Sequence, residues 1–229
     1  PTGICTYEHV VANVPHDEIV QKSVEVRGLK VSVSSIDIPL SFGPAYEGER
    51  VRGADLYAQT GGGKTQCTEL CKMAEMNEID DAKVEIIGPD IGDLKEGDTF
   101  PLGIYAQVAG REFQTDFEPI IERQIHHLIN YIQGIMHIGQ RDISWIRVSK
   151  AAVEKGFTLK DIGVVLHAKF HQDFGSILDK VQITLYTKKK DVDALTKRAR
   201  GEYKARDERV EKMTDEDVET YYSCTLCQS

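Results

Sequence analysis

Cysteine is scarce. The chain has five in 229 residues (Cys5, Cys67, Cys71, Cys224 and Cys227), an odd number far below the density of a secreted disulfide scaffold. A reducing cytoplasm suits such a chain better than an oxidising compartment. Long apolar runs are also missing, and none approaches the roughly 18 residues that a membrane helix needs. No basic stretch followed by an apolar one suggests a signal peptide. Nor is there a basic surplus: 28 Lys and Arg stand against 37 Asp and Glu, a formal charge of -9, which argues against a nucleic-acid binder. Tryptophan occurs once, at Trp145. The chain opens on Pro1 rather than Met, as expected of a piece of something longer.

What is present is an ordinary globular composition, 41% hydrophobic and 28% charged, with length for one large domain or two modest ones. Charge is unevenly spread. Residues 75–98 carry nine acids and two bases, whereas 188–212 carry ten bases and six acids. An acidic lobe and a basic helix suit a charged small molecule or a protein partner, or are simply two solvated faces.

Period-two alternation over Ser23 to Leu40 predicts two strands, with Pro39 and Gly43-Pro44 ending them. Phe42 to Lys72 is expected to be loop-rich. Its Gly61-Gly-Gly-Lys-Thr65 invites comparison with a phosphate loop, but Ala58 stands where the first glycine belongs, so a flexible turn is expected. Cys67 and Cys71 lack a second pair of matching spacing nearby and are expected to be packed or free thiols. Val84 to Ile87 and Phe100 to Val108 are apolar runs bounded by glycines and predict strands.

A helix should follow, with Asp116 as N-cap, Pro119 in its first turn, and Phe117, Ile121, Ile125, Leu128 and Ile132 as its apolar stripe up to Gly134. A strand is expected over Asp142 to Val148, placing Arg141, Ile143, Trp145 and Arg147 on one face. Two arginines flanking a tryptophan suit phosphate and a stacked ring, or a buried indole with ion-paired arginines. Lys160 to Phe174 predicts a second helix, on which His167 and His171 are spaced i, i+4. Ala168 replaces the general base of a zinc-protease motif and no third ligand is evident, so surface histidines are expected. Val181, Ile183 and Leu185 alternate as a strand, Asp191 to Lys212 forms a charged helix with Val192, Leu195, Ala199 and Tyr203 along one edge, and Thr214-Asp-Glu-Asp217 starts a short acidic helix. The fold class expected is α+β, a mixed or antiparallel sheet with several helices, ending in the charged helix and a Cys-x2-Cys tail.

That tail, Cys224-Thr-Leu-Cys227, supplies two thiolates, half of what a metal site or iron–sulfur cluster normally takes. Several stretches then point together. Val24-Glu-Val-Arg-Gly28, Tyr46-Glu-Gly-Glu-Arg-Val-Arg52, Glu85-Ile-Ile-Gly-Pro-Asp-Ile91, Asp116-Phe-Glu-Pro119, His137-Ile-Gly-Gln-Arg-Asp142 and Tyr222-Ser-Cys-Thr-Leu-Cys-Gln-Ser229 resemble the CO-methylating acetyl-CoA synthase family. The resemblance covers that enzyme's middle domain, expected at 1–213, and the start of its A-cluster domain, expected at 214–229.

It implies an acyltransferase that joins a methyl group from a corrinoid iron–sulfur protein, CO and coenzyme A into acetyl-CoA. The cofactors implied are a [4Fe-4S] cluster and two nickel ions. Cys224 and Cys227 match the first two cluster cysteines, Cys227 also bridging to nickel. The remaining ligands would fall beyond Ser229, so this chain alone is expected to bind no complete cluster and to be inactive. Carbon monoxide dehydrogenase is implied as a partner through the family's N-terminal domain, which the matching stretches do not include. The family's middle domain implies coenzyme A binding through an arginine-rich surface and a tryptophan. That tryptophan aligns with Met136, a departure, so Arg141, Trp145, Arg147 and Arg123 are the expected contacts. A docking module for the corrinoid protein is the alternative, and a zinc protein using Cys67, Cys71, Cys224 and Cys227 a more distant one. Neither a membrane nor a nucleic acid is expected as a partner.

Overall fold

The computed structural model describes residues 51, 53–111, 117–130, 132, 134–140 and 143–217. Among these residues the chain runs as β1 (Leu56–Gly61), β2 (Cys67–Met73), β3 (Val84–Ile87), β4 (Leu102–Gly110), α1 (Glu118–Ile129), β5 (Ile135–Gln140), β6 (Ile143–Ser149), α2 (Lys150–Glu154), α3 (Leu159–Phe174), β7 (Leu178–Tyr186) and α4 (Lys189–Val210). The α+β expectation holds, with the strands divided between two sheets. One is antiparallel, in the order β1-β6-β5. The other is mixed, in the order β2-β4-β7-β3, where β2-β4 and β3-β7 are parallel and β4-β7 is antiparallel.

Side-chain alternation along β2 and β4 gives the mixed sheet two covered faces. Leu70 and Tyr105 point to one, where Leu195, Ala199 and Tyr203 of α4 pack on them. Gly103 lets α4 approach closely, since a Cβ there would lie 2.8 Å from Leu195 Cδ2. Cys71, Leu102, Ile104, Ala106 and Val108 point to the other face, into the main core with Ile121, Ile125 and Leu128 of α1, Ile162, Leu166 and Phe170 of α3, and Ile146 and Val148 of β6. The antiparallel sheet therefore covers this core with its inner face. No helix among the described residues is long and apolar enough to cross a membrane.

Several expectations are corrected in detail. The segment expected to be loop-rich holds two strands from residue 56 onward. Tyr57, Gln59 and Thr60 mute the apolar alternation of β1, and its pairing comes from β6, some ninety residues away in sequence. The glycine turn between β1 and β2 has φ of 74, 67 and 80° at Gly61, Gly62 and Gly63. It joins strand to strand, whereas a phosphate loop joins strand to helix.

Helix α1 stops at Ile129 rather than near Gly134. Asn130 ends it: Nδ2 donates to His126 O at 2.9 Å and to His137 O at 2.5 Å, while His137 N donates to its Oδ1 at 2.6 Å. The side chain thus fastens the helix end to β5, a strand the sequence did not announce. Phe117 occupies the cap position of α1 without a side-chain cap bond, and Pro119 sits in the first turn as expected. Helices α3 and α4 and strands β3, β4 and β6 fall where expected within one or two residues, and β7 contains the expected Val181, Ile183 and Leu185. The strands expected over Ser23 to Leu40, the cap expected at Asp116 and the Cys-x2-Cys tail lie outside the described residues.

Candidate functional site

The outer face of the antiparallel sheet carries two of the four expected residues, Trp145 and Arg147. Arg147 pairs with Gln59 on one side and Met136 on the other, while Trp145 pairs with Gly61 and Ile138. Cross-strand partners share a face, so Gln59, Met136, Ile138, Trp145 and Arg147 form one patch. The Arg147 guanidinium lies over the Trp145 ring, 4.3 Å from its centroid. Its Nε donates to Gln59 Oε1 at 3.1 Å and its Nη1 to Val51 O at 3.3 Å. Both acceptors are neutral, and among the described residues no carboxylate pairs with it.

Gly62 closes over the indole edge, where a Cβ would lie 3.2 Å from Trp145 Nε1. That enclosed N–H has no partner among the described residues. The half-buried Trp145 is therefore held by a glycine turn at its edge and a cation on its face. Met136, at the aligned tryptophan position, stands directly across from Arg147 and is buried. Ile138 beside it is half exposed.

Beneath this patch, on the inward side of the same strands, lies a polar network that sequence reasoning missed. Ser144 Oγ donates to Glu69 Oε1 at 2.7 Å and lies 2.9 Å from His137 Nε2, which also pairs with the Glu69 carboxylate. Cys67 Sγ donates to Ser144 Oγ at 3.4 Å. Burial alone would raise the Glu69 carboxyl, but the His137 ring and the Ser144 hydroxyl hold it below its usual range. Burial pushes the Cys67 thiol up to about 12, and burial with Glu122 nearby raises Cys71 well above its ordinary value. Both are packed free thiols, as expected, and the suppression of their thiolates is unfavourable for metal ligation.

The remaining expected site residues are placed as follows. Arg123 is exposed on α1, whereas Trp145 and Arg147 lie on β6. Arg141, Cys224 and Cys227 lie outside the described residues. His167 and His171 are not surface residues: the first is fully buried and the second nearly so. Their Nε2 atoms lie 3.2 and 2.8 Å from one oxygen, Oδ1 of Asp81, which comes from the loop between β2 and β3. The third partner was illegible in the sequence because it lies 86 residues before His167 and the loop folds it back onto α3.

Fold and site together define a class: an α+β domain of two sheets, one of which carries an arginine-stacked tryptophan on its outer face. Comparison with known proteins takes this further. Residues 38–192 match the family described as CO dehydrogenase/acetyl-CoA synthase complex beta subunit, and residues 203–229 match the family of the C-terminal part of the ACS/CODH beta subunit. The chain belongs to this family.

It is 48% identical over 214 residues to the carbon monoxide dehydrogenase/acetyl-CoA synthase subunit alpha of Moorella thermoacetica, covering 93% of this chain and 29% of that protein. It is 42% identical over 196 residues to the acetyl-CoA decarbonylase/synthase complex subunit beta of Methanopyrus kandleri, covering 86% of this chain and 42% of the relative. The beta 1 subunit of Methanocaldococcus jannaschii is 42% identical over 213 residues, 93% of this chain and 28% of that one. The chain thus spans under half the length of these relatives.

Proposed function

We propose that this chain is the coenzyme A-handling and partner-docking piece of an acetyl-CoA synthase, an acyltransferase that assembles acetyl-CoA from a corrinoid-borne methyl group, CO and coenzyme A. The observation that carries the reading is the Trp145–Arg147 pair. A guanidinium stacked on an indole and bonded, among the described residues, to neutral oxygens keeps its charge and its remaining N–H donors for an anion. Coenzyme A offers phosphates for such a cation and an adenine for an aromatic face. Arg141, and Arg123 from α1, are the further cations of this reading. Cys224 and Cys227 supply two of the four thiolates that a [4Fe-4S] cluster takes, and that cluster with its nickel pair would furnish the carbon–carbon and thioester bond-making. The chain's described residues bind and orient rather than react. Cytoplasmic placement, with carbon monoxide dehydrogenase and the corrinoid protein as partners, belongs to the same reading.

The test is titration of coenzyme A into the chain and into an Arg141→Ala, Arg147→Ala variant, by calorimetry and by fluorescence of the single tryptophan. One charge-assisted hydrogen bond contributes about 1.5–3 kcal/mol. Losing even one such contact should weaken binding by roughly 10- to 100-fold, and added salt should weaken the parent's binding. Unchanged affinity would sink the assignment. A second reading, a docking face for the corrinoid protein or a neighbouring domain, draws support from the half-exposed Ile138 beside Trp145. It predicts no measurable affinity for coenzyme A.

A further inference from the structure

A buried cluster where α3 meets β7 and the β2–β3 loop carries chemistry that the Trp145–Arg147 face does not use. Asp81, His167 and His171 each offer one ligand atom, and the three atoms lie within 4.8 Å of one another. We propose that they form a binding site for a divalent transition-metal cation of zinc-like ligand preference, which fastens the β2–β3 loop to α3 and β7.

The first argument is geometric. The histidines are one helical turn apart on α3, ring centroids 4.5 Å apart and tilted by 61°, with both Nε2 atoms converging on Asp81 Oδ1. A zinc ion bonds imidazole nitrogen and carboxylate oxygen at about 2.0–2.2 Å, which sets tetrahedral ligands about 3.3 Å apart. The nitrogen–oxygen separations of 3.2 and 2.8 Å require an outward shift of only a few tenths of an ångström.

The second argument is hydrogen-bond accounting. Asp81 Oδ1 faces three donors, the two imidazoles and Val181 N–H at 2.8 Å, whereas Oδ2 is buried with no partner. His167 Nδ1 and His171 Nδ1 are likewise buried and unpartnered among the described residues. Buried polar atoms are normally satisfied, so the orphan carboxylate oxygen Oδ2 needs an explanation. A cation at the centre takes both Nε2 lone pairs and gives the Asp81 carboxylate, Oδ2 included, a partner, with water completing its shell and the imidazole protons left on the two Nδ1 atoms.

The third argument concerns pre-organisation. Lys180 Nζ donates to Met76 O and Ile79 O at 2.6 and 3.1 Å, and Asp80 N donates to Gln182 Oε1 at 3.0 Å. These bonds pin the loop to β7 ahead of Asp81, and Ala82 N, which donates to Val181 O at 3.2 Å, pins it just after. Two neutral imidazoles and one carboxylate, with no sulfur, favour zinc, nickel, cobalt or ferrous iron over soft cuprous ion or hard calcium.

The test uses the full 229-residue chain carrying Cys224→Ser and Cys227→Ser, which removes thiolate competition from the tail. Zinc is titrated after chelator treatment, against a chromophoric competitor, and the zinc-loaded protein is examined by X-ray absorption. The expected result is one bound equivalent in a shell of nitrogen and oxygen at about 2.0–2.1 Å, with imidazole scattering and no sulfur at about 2.3 Å. His171→Gln, checked for folding by circular dichroism, should lower affinity by more than about 100-fold, since loss of even an outer-shell partner costs 10- to 100-fold. Less than one equivalent in folded protein, a sulfur-containing shell, or binding indifferent to His171→Gln would overturn the proposal. If His171→Gln fails to fold, the absorption measurement decides alone, because it leaves all three ligands in place.

Discussion

Strand β2 is the edge of the mixed sheet, and side chains complete its hydrogen bonding, which makes Arg206 a demanding test of the fold. Cys71 N donates to Glu122 Oε2 at 2.9 Å and Met73 N to Glu118 Oε1 at 2.9 Å, both acids coming from α1. Tyr203 Oη donates to Glu69 O at 2.8 Å from α4. An exposed edge strand invites mispairing, and here two helices occupy its donors and acceptors. Bringing carboxylates to a buried strand requires cations. Lys72 Nζ lies 2.8 Å from Glu118, and Arg206 Nη1 lies 3.1 Å from Glu122. Arg206 is only 8% exposed, and its Nη2 also reaches Cys71 O at 3.5 Å.

Replacing Arg206 by Met keeps the apolar stem and deletes the charge. Glu122 is then a buried carboxylate with one N–H donor. Breaking a buried pair this way costs about 3–5 kcal/mol. At a slope of about 3 kcal/mol per molar urea, a 3 kcal/mol loss lowers the unfolding midpoint by about 1 M. The pH dependence carries a definite sign. Burial already raises the Glu122 carboxyl, and Arg206 opposes that rise. Without the arginine the folded-state value climbs further above the unfolded value of about 4.3. The folded state then holds the proton more tightly than the unfolded one, so stability is lost as pH rises through that window and regained on acidification. From neutral pH toward 5, Arg206→Met should recover up to about 1.4 kcal/mol per pH unit relative to the parent. Adding Glu122→Gln should restore most of the loss at neutral pH. Urea unfolding followed by circular dichroism, at several pH values, measures all three. A loss below about 0.5 kcal/mol, the range of an ordinary surface substitution, would refute the argument. So would a deficit that does not change with pH.

Two further outcomes are expected. Asp90 Oδ1 accepts from Ile91 N at 2.6 Å and from Leu159 N at 2.7 Å, so one carboxylate caps a 3-10 turn and the start of α3 together; Asp90→Ala should cost about 1–2 kcal/mol in thermal or urea unfolding. Burial pushes Lys169 down to about 8 and Asp173 up to about 6, with 3.4 Å between their charged atoms; in Asp173→Asn the desolvated lysine loses its carboxylate and keeps the neutral Gln172 Oε1 at 2.6 Å, so unfolding stability should rise with pH from neutral toward about 10.4, its unfolded value, and a flat profile would show that Lys169 is not desolvated as described.

The elements legible in the sequence were those whose pattern is local. Helix α3 announced itself through Ile162, Val165, Leu166, Phe170 and Phe174, and α4 through Val192, Leu195, Ala199 and Tyr203, all buried as the 3.6-residue spacing requires. Strand β7 was equally plain. The unread elements owe their form to distant partners. Strand β1 is polar and irregular by itself and becomes a strand by pairing with β6. Strand β5 is held at one end by Asn130, and a side chain bonding to a strand's main chain leaves no periodic trace.

The same distinction governs the candidate sites. Trp145 and Arg147 lie two apart on one strand, so their shared face was predictable. Glu69, His137 and Ser144 come from three strands and meet only in the folded chain. So do Asp81 and the histidine pair, and the expected surface placement of His167 and His171 failed for that reason. Helical spacing indicated that they share a face but not that β7 and the β2–β3 loop cover it.

The Trp145–Arg147 face and the buried network are two sides of the same strands. Along β6, Ser144, Ile146 and Val148 point inward while Trp145 and Arg147 point outward. A slip of one residue would exchange these sets, so whatever fixes the register also fixes the face. The inward contacts of Ser144 to Glu69, His137 and Cys67 tie β6 to the mixed sheet. At Gly61 the two strands approach so closely that a Cβ would lie 1.9 Å from Ser144 O, and the following turn is the one that closes over the indole. A perturbation at Ser144 or His137 is expected to be felt at Trp145 and Arg147, although neither residue reaches the outer face. Weakened coenzyme A binding in such a variant would report a moved strand rather than a lost contact. The residues to vary when mapping ligand contacts are those whose side chains leave the register untouched, and among the described residues Arg147 meets that condition best, since its partners Gln59 and Val51 lie on the outer surface of the strand it joins or just before it.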